Sequence, residues 1–154
     1  MASYNLDLIP QTYRMGCWIA STNMLRSYKA GYTITEDPYV EEDWLGPNGG
    51  LNTDRTTLDA YCSANNLKLY NGPSFNVLQS LINKGPFMLV GTFPGVGTHF
   101  WVIGGMNTGV SIDDTAIEAY DPMPINVGEY RSDVSLAAFK AKFPNAFKAA
   151  FQMQ

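Results

Sequence analysis

Histidine occurs once, at His99, and cysteine twice, at Cys17 and Cys62, in a chain of 154 residues. Two cysteines close at most one bridge, and a domain of this length buries a core without one. Both therefore read as free thiols in a reducing compartment. One imidazole and two distant thiols also lack the Cys-x-x-Cys or His-x-x-x-His spacing of a zinc site, so neither a metal nor another cofactor is expected. Positive charge is scarce: ten Lys and Arg stand against fourteen Asp and Glu, a net −4, and the basic residues are scattered. That argues against nucleic acid as a partner, because tracking phosphates needs massed cations. No apolar run approaches the roughly 18 residues that cross a bilayer, so no membrane partner is expected. The opening Met-Ala-Ser-Tyr-Asn-Leu-Asp lacks the basic-then-apolar order of a signal peptide, which points to a cytoplasmic protein. Repeats, low-complexity tracts and linkers are missing too, and one domain spanning 1–154 is the expectation.

What is present is a globular composition, 45% apolar and 13% aromatic. Tyr4 to Pro10 reads as a short extended segment. From Cys17 the apolar residues Trp18, Ile19, Ala20, Met24, Leu25 and Tyr28 recur as the broad stripe of a helix buried over much of its surface, with Gly31 as its C-terminal cap. Residues 32–52 carry five acidic side chains and then Gly46-Pro47-Asn48-Gly49-Gly50, the chemistry of a solvated loop. Asn52 or Thr53 can cap a second helix with Leu58, Tyr61, Cys62 and Leu67 on one side, which places Cys62 on a packing face. Ser74 caps a third, with Phe75, Leu78, Leu81 and Ile82 inward and Gly85 at its end. The period then changes. Pro86–Phe93 and His99–Gly104 are strand-length apolar runs joined by Pro94-Gly95-Val96-Gly97, an antiparallel hairpin. Ala116–Tyr120 reads as another strand, ending in Asp121-Pro122. Asp133 or Ser135 starts a short helix with Leu136, Phe139 and Phe143 inward, and Ala146 to Gln152 can return as a last strand. Helices first and strands afterwards is the α+β order, with an N-terminal helix packed on a C-terminal antiparallel sheet.

The chemistry gathers on four residues. Gly16 breaks the preceding segment and Cys17 falls in the first turn of its helix. Unpaired backbone N–H groups there stabilise negative charge, and the thiolate is the reactive form of cysteine. Gln11 lies six residues upstream, close enough to fold back and donate its amide to an oxyanion. A free cysteine is more commonly a small core residue, and Cys62 reads that way: it has neither the glycine turn nor a matching glutamine. Cys17 needs a base, and His99 at the mouth of the hairpin is the one imidazole available. Asp121 ends the strand that pairs beside His99, and in an antiparallel pair the start of one strand lies opposite the end of the next. Asp121 can then accept the His99 N–H and fix its tautomer, although Asp-Pro alone is an ordinary turn.

These residues resemble a compact bacterial papain-like cysteine peptidase. Gln11, five residues, and Cys17-Trp18-Ile19-Ala20-Ser21 are similar to that family's oxyanion glutamine and nucleophile motif. Thr98-His99-Phe100-Trp101-Val102-Ile103-Gly104-Gly105 is similar to its histidine strand, and the order glutamine, cysteine, histidine, acid is kept. Papain carries asparagine as its third member, whereas Asp121-Pro122 resembles bacteriocin-processing peptidase domains and type III effector proteases. Arg14 stands where papain has a disulfide cysteine. The resemblance implies a papain-like fold and cleavage of a protein or peptide substrate through Cys17, His99, Asp121 and Gln11. It further implies a bacterial effector or toxin delivered by a dedicated secretion system and restrained by an immunity or inhibitor protein. A rival reading uses the same triad of Cys17, His99 and Asp121 in a glutamine deamidase or transglutaminase. A binding module of the same fold without turnover is the alternative outside enzymology.

Overall fold

The computed structural model describes residues 2–93, 97–107, 109–142, 145 and 147–154. In chain order it contains β1 (Ala2–Ser3), α1 (Cys17–Ala30), α2 (Arg55–Ala64), β2 (Leu67–Asn71), α3 (Phe75–Lys84), β3 (Phe87–Phe93), β4 (Gly97–Asn107), β5 (Ala116–Asp121), β6 (Glu129–Ser135), α4 (Leu136–Lys142) and β7 (Ala149–Met153). The strands form one sheet in the order β2-β7-β3-β4-β5-β6, with β1 added along β4, and every pairing is antiparallel. This is an α+β architecture with the cysteine-bearing helix at its N-terminal side. The turn Pro94-Gly95-Val96, the inward Phe143 and the Ala146 start of the last strand lie outside the described residues.

The pleat explains how two cores arise from one sheet. Met88, Val90, Phe100 and Val102 point to one face and pack with Trp18, Met24, Leu25, Leu58 and Tyr61 of α1 and α2. The alternate residues Phe87, Leu89, Trp101 and Ile103 point to the other and pack with Leu78, Leu81 and Ile82 of α3 and Leu136 of α4. Each fully buried large side chain contributes on the order of 1.5–3 kcal/mol, so the layers hold chiefly by apolar burial. One buried polar contact crosses the layer: the hydroxyls of Thr22 and Tyr61 lie 2.6 Å apart and join α1 to α2.

Caps set most of the boundaries. Gly31 ends α1 with φ 78°, and its N–H reaches Ser27 O at 2.9 Å. Ser74 Oγ accepts the Val77 N–H, and α3 stops at Gly85. The α2 cap is Asp54, not Asn52 or Thr53; its carboxylate takes both the N–H and the hydroxyl of Thr57. The same helix ends at Ala64, and the chain reverses through Asn66 at φ 57°, so Leu67 opens β2 instead of closing α2. Ser135 caps α4 by accepting the Ala138 N–H, but the residues before it are the strand β6.

Candidate active site

The turn before α1 is shaped by glycine. A Cβ on Gly16 would meet the Tyr13 ring at 2.9 Å, so a side chain there would push the tyrosine off the turn. With glycine in place, Gly16 N–H bonds Tyr13 O at 3.0 Å and the helix begins at once with Cys17, which is 4% exposed. A glycine-rich loop leans on this turn. Leu45 bridges to Leu51, Gly46 N–H reaches Gly50 O, and the Gly49 carbonyl accepts from both Tyr13 Oη (3.2 Å) and Trp18 Nε1 (3.0 Å). The loop that composition marks only as solvated thus buttresses Tyr13 in the turn before Cys17 and Trp18, the residue after it.

His99 sits near the start of β4, opposite Gly91 of β3, and is buried. Its Nε2 lies 2.7 Å from Asp121 Oδ1, which leaves Nδ1 for the Cys17 thiol, the ring's second hydrogen-bond partner. Pairing of Val102 with Tyr120 sets this geometry, because it brings the end of β5 back alongside the first residues of β4. Asp121 is itself oriented: Oδ1 also accepts the Met123 N–H at 2.9 Å. Burial works against a charged ring, yet the hydrogen bond His99 makes to Asp121 and then the one it shares with Cys17 outweigh it and push His99 up to about 9. The imidazolium is therefore the form this environment favours at neutral pH. Burial, with a smaller push from Asp59, drives the Cys62 thiol up to about 12, so the second cysteine is held unreactive inside the core.

Two features go beyond what the motifs carry. Trp101, two residues along β4 on the same face, stacks on the His99 ring with centroids 5.8 Å apart and planes at 28°. It is braced in turn by Phe139 of α4, edge-on at 5.3 Å. The signal for Trp101 was the strand period itself, since i and i+2 share a face. Gln11 is the other. Its backbone is laced to the segment after Asp121, through Gln11 N–H to Pro122 O (3.0 Å) and Asn126 N–H to Gln11 O (2.8 Å). Its buried amide spends both N–H groups on the turn, at Tyr13 O (3.0 Å) and Arg14 O (2.7 Å), and leaves Oε1 without a hydrogen-bond partner among the described residues. The structure thus gathers all four residues around the N-terminal end of α1, with Gln11 engaged in bracing.

Among the described residues no cluster of three His, Cys, Asp or Glu could hold a metal ion, and no helix is long and apolar enough to cross a membrane. What the arrangement can do is move a proton between a thiol and an imidazole whose orientation an acid fixes, which is the chemistry of nucleophilic acyl transfer. No curated protein matches the chain. A family model described as papain-like cysteine protease AvrRpt2 matches residues 2–144, a span that runs from β1 through the thiol, the imidazole and the acid. With nearly the whole chain accounted for in this way, the protein belongs to the papain-like cysteine protease AvrRpt2 family and is a cysteine peptidase.

Proposed function

We propose that Cys17, His99 and Asp121 form the catalytic triad with which the chain hydrolyses peptide bonds of a protein substrate. The observation that supports this reading is the position of one imidazole between a helix-terminal thiol and an oriented carboxylate. The Cys17 sulfur attacks the scissile carbonyl carbon, the C–N bond breaks, and the His99 imidazolium gives its proton to the departing amine. The thioester left on Cys17 is then hydrolysed by water, from which the neutral His99 takes a proton, and the thiol and acid product are released. Asp121 keeps the ring in register throughout.

A labelling experiment tests the assignment of the nucleophile. At mildly acidic pH iodoacetamide is expected to modify Cys17 far faster than Cys62, whose thiol is held near 12, and His99→Ala should erase the difference. Equal, slow labelling of both cysteines would count against Cys17.

The oxyanion is assigned to the Cys17 backbone N–H and the Gln11 side chain. To donate there, the Gln11 amide has to release one of its two carbonyl partners, Tyr13 O or Arg14 O. Because Oε1 is unpartnered, that rotation breaks no bond on the acceptor side. Gln11→Ala is expected to lower turnover by about 10²–10³ while Cys17 still alkylates. Undiminished turnover would remove Gln11 from the mechanism. The resemblance of Asp121-Pro122 to bacterial effector proteases supports a further reading, delivery into a target cell with an immunity or inhibitor protein in the producing cell.

A further inference from the structure

Lysines from three separate elements converge on one groove at the end of α1 remote from Cys17. Lys29 comes from the last turn of α1, Lys84 from the last turn of α3 and Lys68 from β2, and the groove between them encloses about 290 Å³. Tyr28, Tyr70, Pro86 and the C-terminal part of β7 complete the walls, and no Asp or Glu is among the lining residues. In a chain of net charge −4 with ten basic residues, this is a concentrated positive site.

The usual structural explanation covers only part of it. A lysine in a helix's last turn offsets the negative end of the helix dipole, which accounts for Lys29 and Lys84 one at a time. It does not account for Lys68, which lies on a strand, or for all three lining one cavity. Nor does any of the three lysines form an ion pair among the described residues, where the pairs are Arg55–Asp59, His99–Asp121 and Arg131–Glu129. The frame that carries them is fixed. Lys68 Nζ stands 5.3 Å from the centre of the Tyr70 ring. Buried Gln152 reaches from β7 to Leu81 O (2.8 Å), Gly85 O (3.0 Å) and Pro86 O (3.4 Å), pinning the segment that presents Lys84. Three like charges thus line one concave setting to which a dianion is complementary.

We propose that this groove binds a small soluble anion bearing a phosphate group. Its volume stands at the low end for small-molecule sites, enough for a phosphate or diphosphate with a modest organic body. Lysine ammoniums supply point charges for the phosphate oxygens, and the tyrosines offer ring faces to the remainder. Tyr28 lines the groove as an exposed ring, while the exposed aliphatic side chains Val110, Ile125 and Val127 lie outside it. Twelve residues of helix, about 18 Å, separate Lys29 from Cys17, which makes this a site apart from the peptidase centre.

Titration calorimetry of the wild-type protein with pyrophosphate is the test. One saturable site is expected, weakened at least about tenfold by combined Lys29→Gln, Lys68→Gln and Lys84→Gln and by added salt. Lys140→Gln with Lys148→Gln, outside the groove, should leave it unchanged. Circular dichroism of the triple variant confirms that it is folded. Absence of saturable binding, or binding that the triple variant keeps, overturns the proposal. Co-sedimentation with phosphoinositide vesicles separates a lipid headgroup from a soluble ligand, and binding to vesicles without binding of pyrophosphate overturns the soluble form. Peptidase assays are not involved, so either result is independent of the triad.

Discussion

Cys17→Ala is expected to lower proteolysis by at least about 10⁴-fold, and Cys62→Ala to leave it unchanged. The contrast follows from where the two thiols sit. Cys17 is the first residue of α1 and shares a hydrogen bond with the one imidazole of the chain, whereas Cys62 faces the core under α2 with its thiol driven to about 12. Removing the sulfur of Cys17 removes the atom that forms the acyl bond, and nothing nearby can replace it. The measurement is a map of new protein N-termini in a lysate treated with wild type against Cys17→Ala. New termini that depend on Cys17 identify the cleavage sites. If target glutamines instead gain about one mass unit on intact chains, the site deamidates rather than cleaves. Activity kept by Cys17→Ala and lost in Cys62→Ala would overturn the assignment outright. The same substitution should relieve any growth defect caused by expressing the protein in recipient cells.

Asp121 is expected to show a graded response with a signature in pH. Asp121→Asn keeps an oxygen that can accept the His99 N–H but removes the negative charge. Asp121→Ala removes both. The alanine variant should therefore lose about 10²–10⁴ in turnover, and the asparagine variant much less. The charge matters most at high pH. In the folded protein His99 is held at about 9, above its ordinary 6.5, so the imidazolium persists through neutrality and is lost as pH rises through about 9. Without the carboxylate the ring is expected to titrate lower, and the alkaline limb of the pH–rate profile should shift down in both variants. The same ring stabilises the fold fully below pH 6.5 and ceases to do so as pH climbs through about 9, so a denaturation series over that range should slope downward in wild type and flatten in Asp121→Ala. Because the chain has one histidine, its imidazole signals in an NMR titration report this group alone. A wild-type His99 titrating near 6.5, or no change in Asp121→Ala, would refute the coupling.

How far these arrangements could be read from residue order depends on which physical signal each leaves. Helices announced themselves through caps: Ser74 and Gly85 bracket α3, and Gly31 closes α1. Sheet elements with a buried face were equally plain, because Phe87–Phe93 and the run from His99 are continuously apolar. β6 carried no such pattern. Its Glu-Tyr-Arg-Ser-Asp-Val-Ser faces solvent along most of its length at the sheet edge, where the backbone ladder to β5 rather than side-chain burial defines it. β2 was hidden by the helix before it, whose apolar spacing continues into Leu67 although Asn66 turns the chain. For the site, reactive residue types and antiparallel logic suffice to place His99 beside Asp121. They say nothing of the two carbonyls that occupy the Gln11 amide, or of the Gly49 carbonyl between Tyr13 and Trp18, since those contacts depend on how loops fold over one another.

The place of β7 in the sheet has a consequence for when the thiol becomes dangerous. It is the last strand in chain order, yet it lies between β2 and β3, pairing with both, and Ala149, Ala150 and Phe151 are fully enclosed. Until those residues have left the ribosome, β2 and β3 have a gap between them and the layer beneath α1 cannot close. A growing chain exposes Cys17 early but cannot assemble the pocket around it until synthesis has passed residue 150. The order of translation is thus a built-in delay, and a chain cut short before β7 should be inert even though every residue of the proposed triad is present in it.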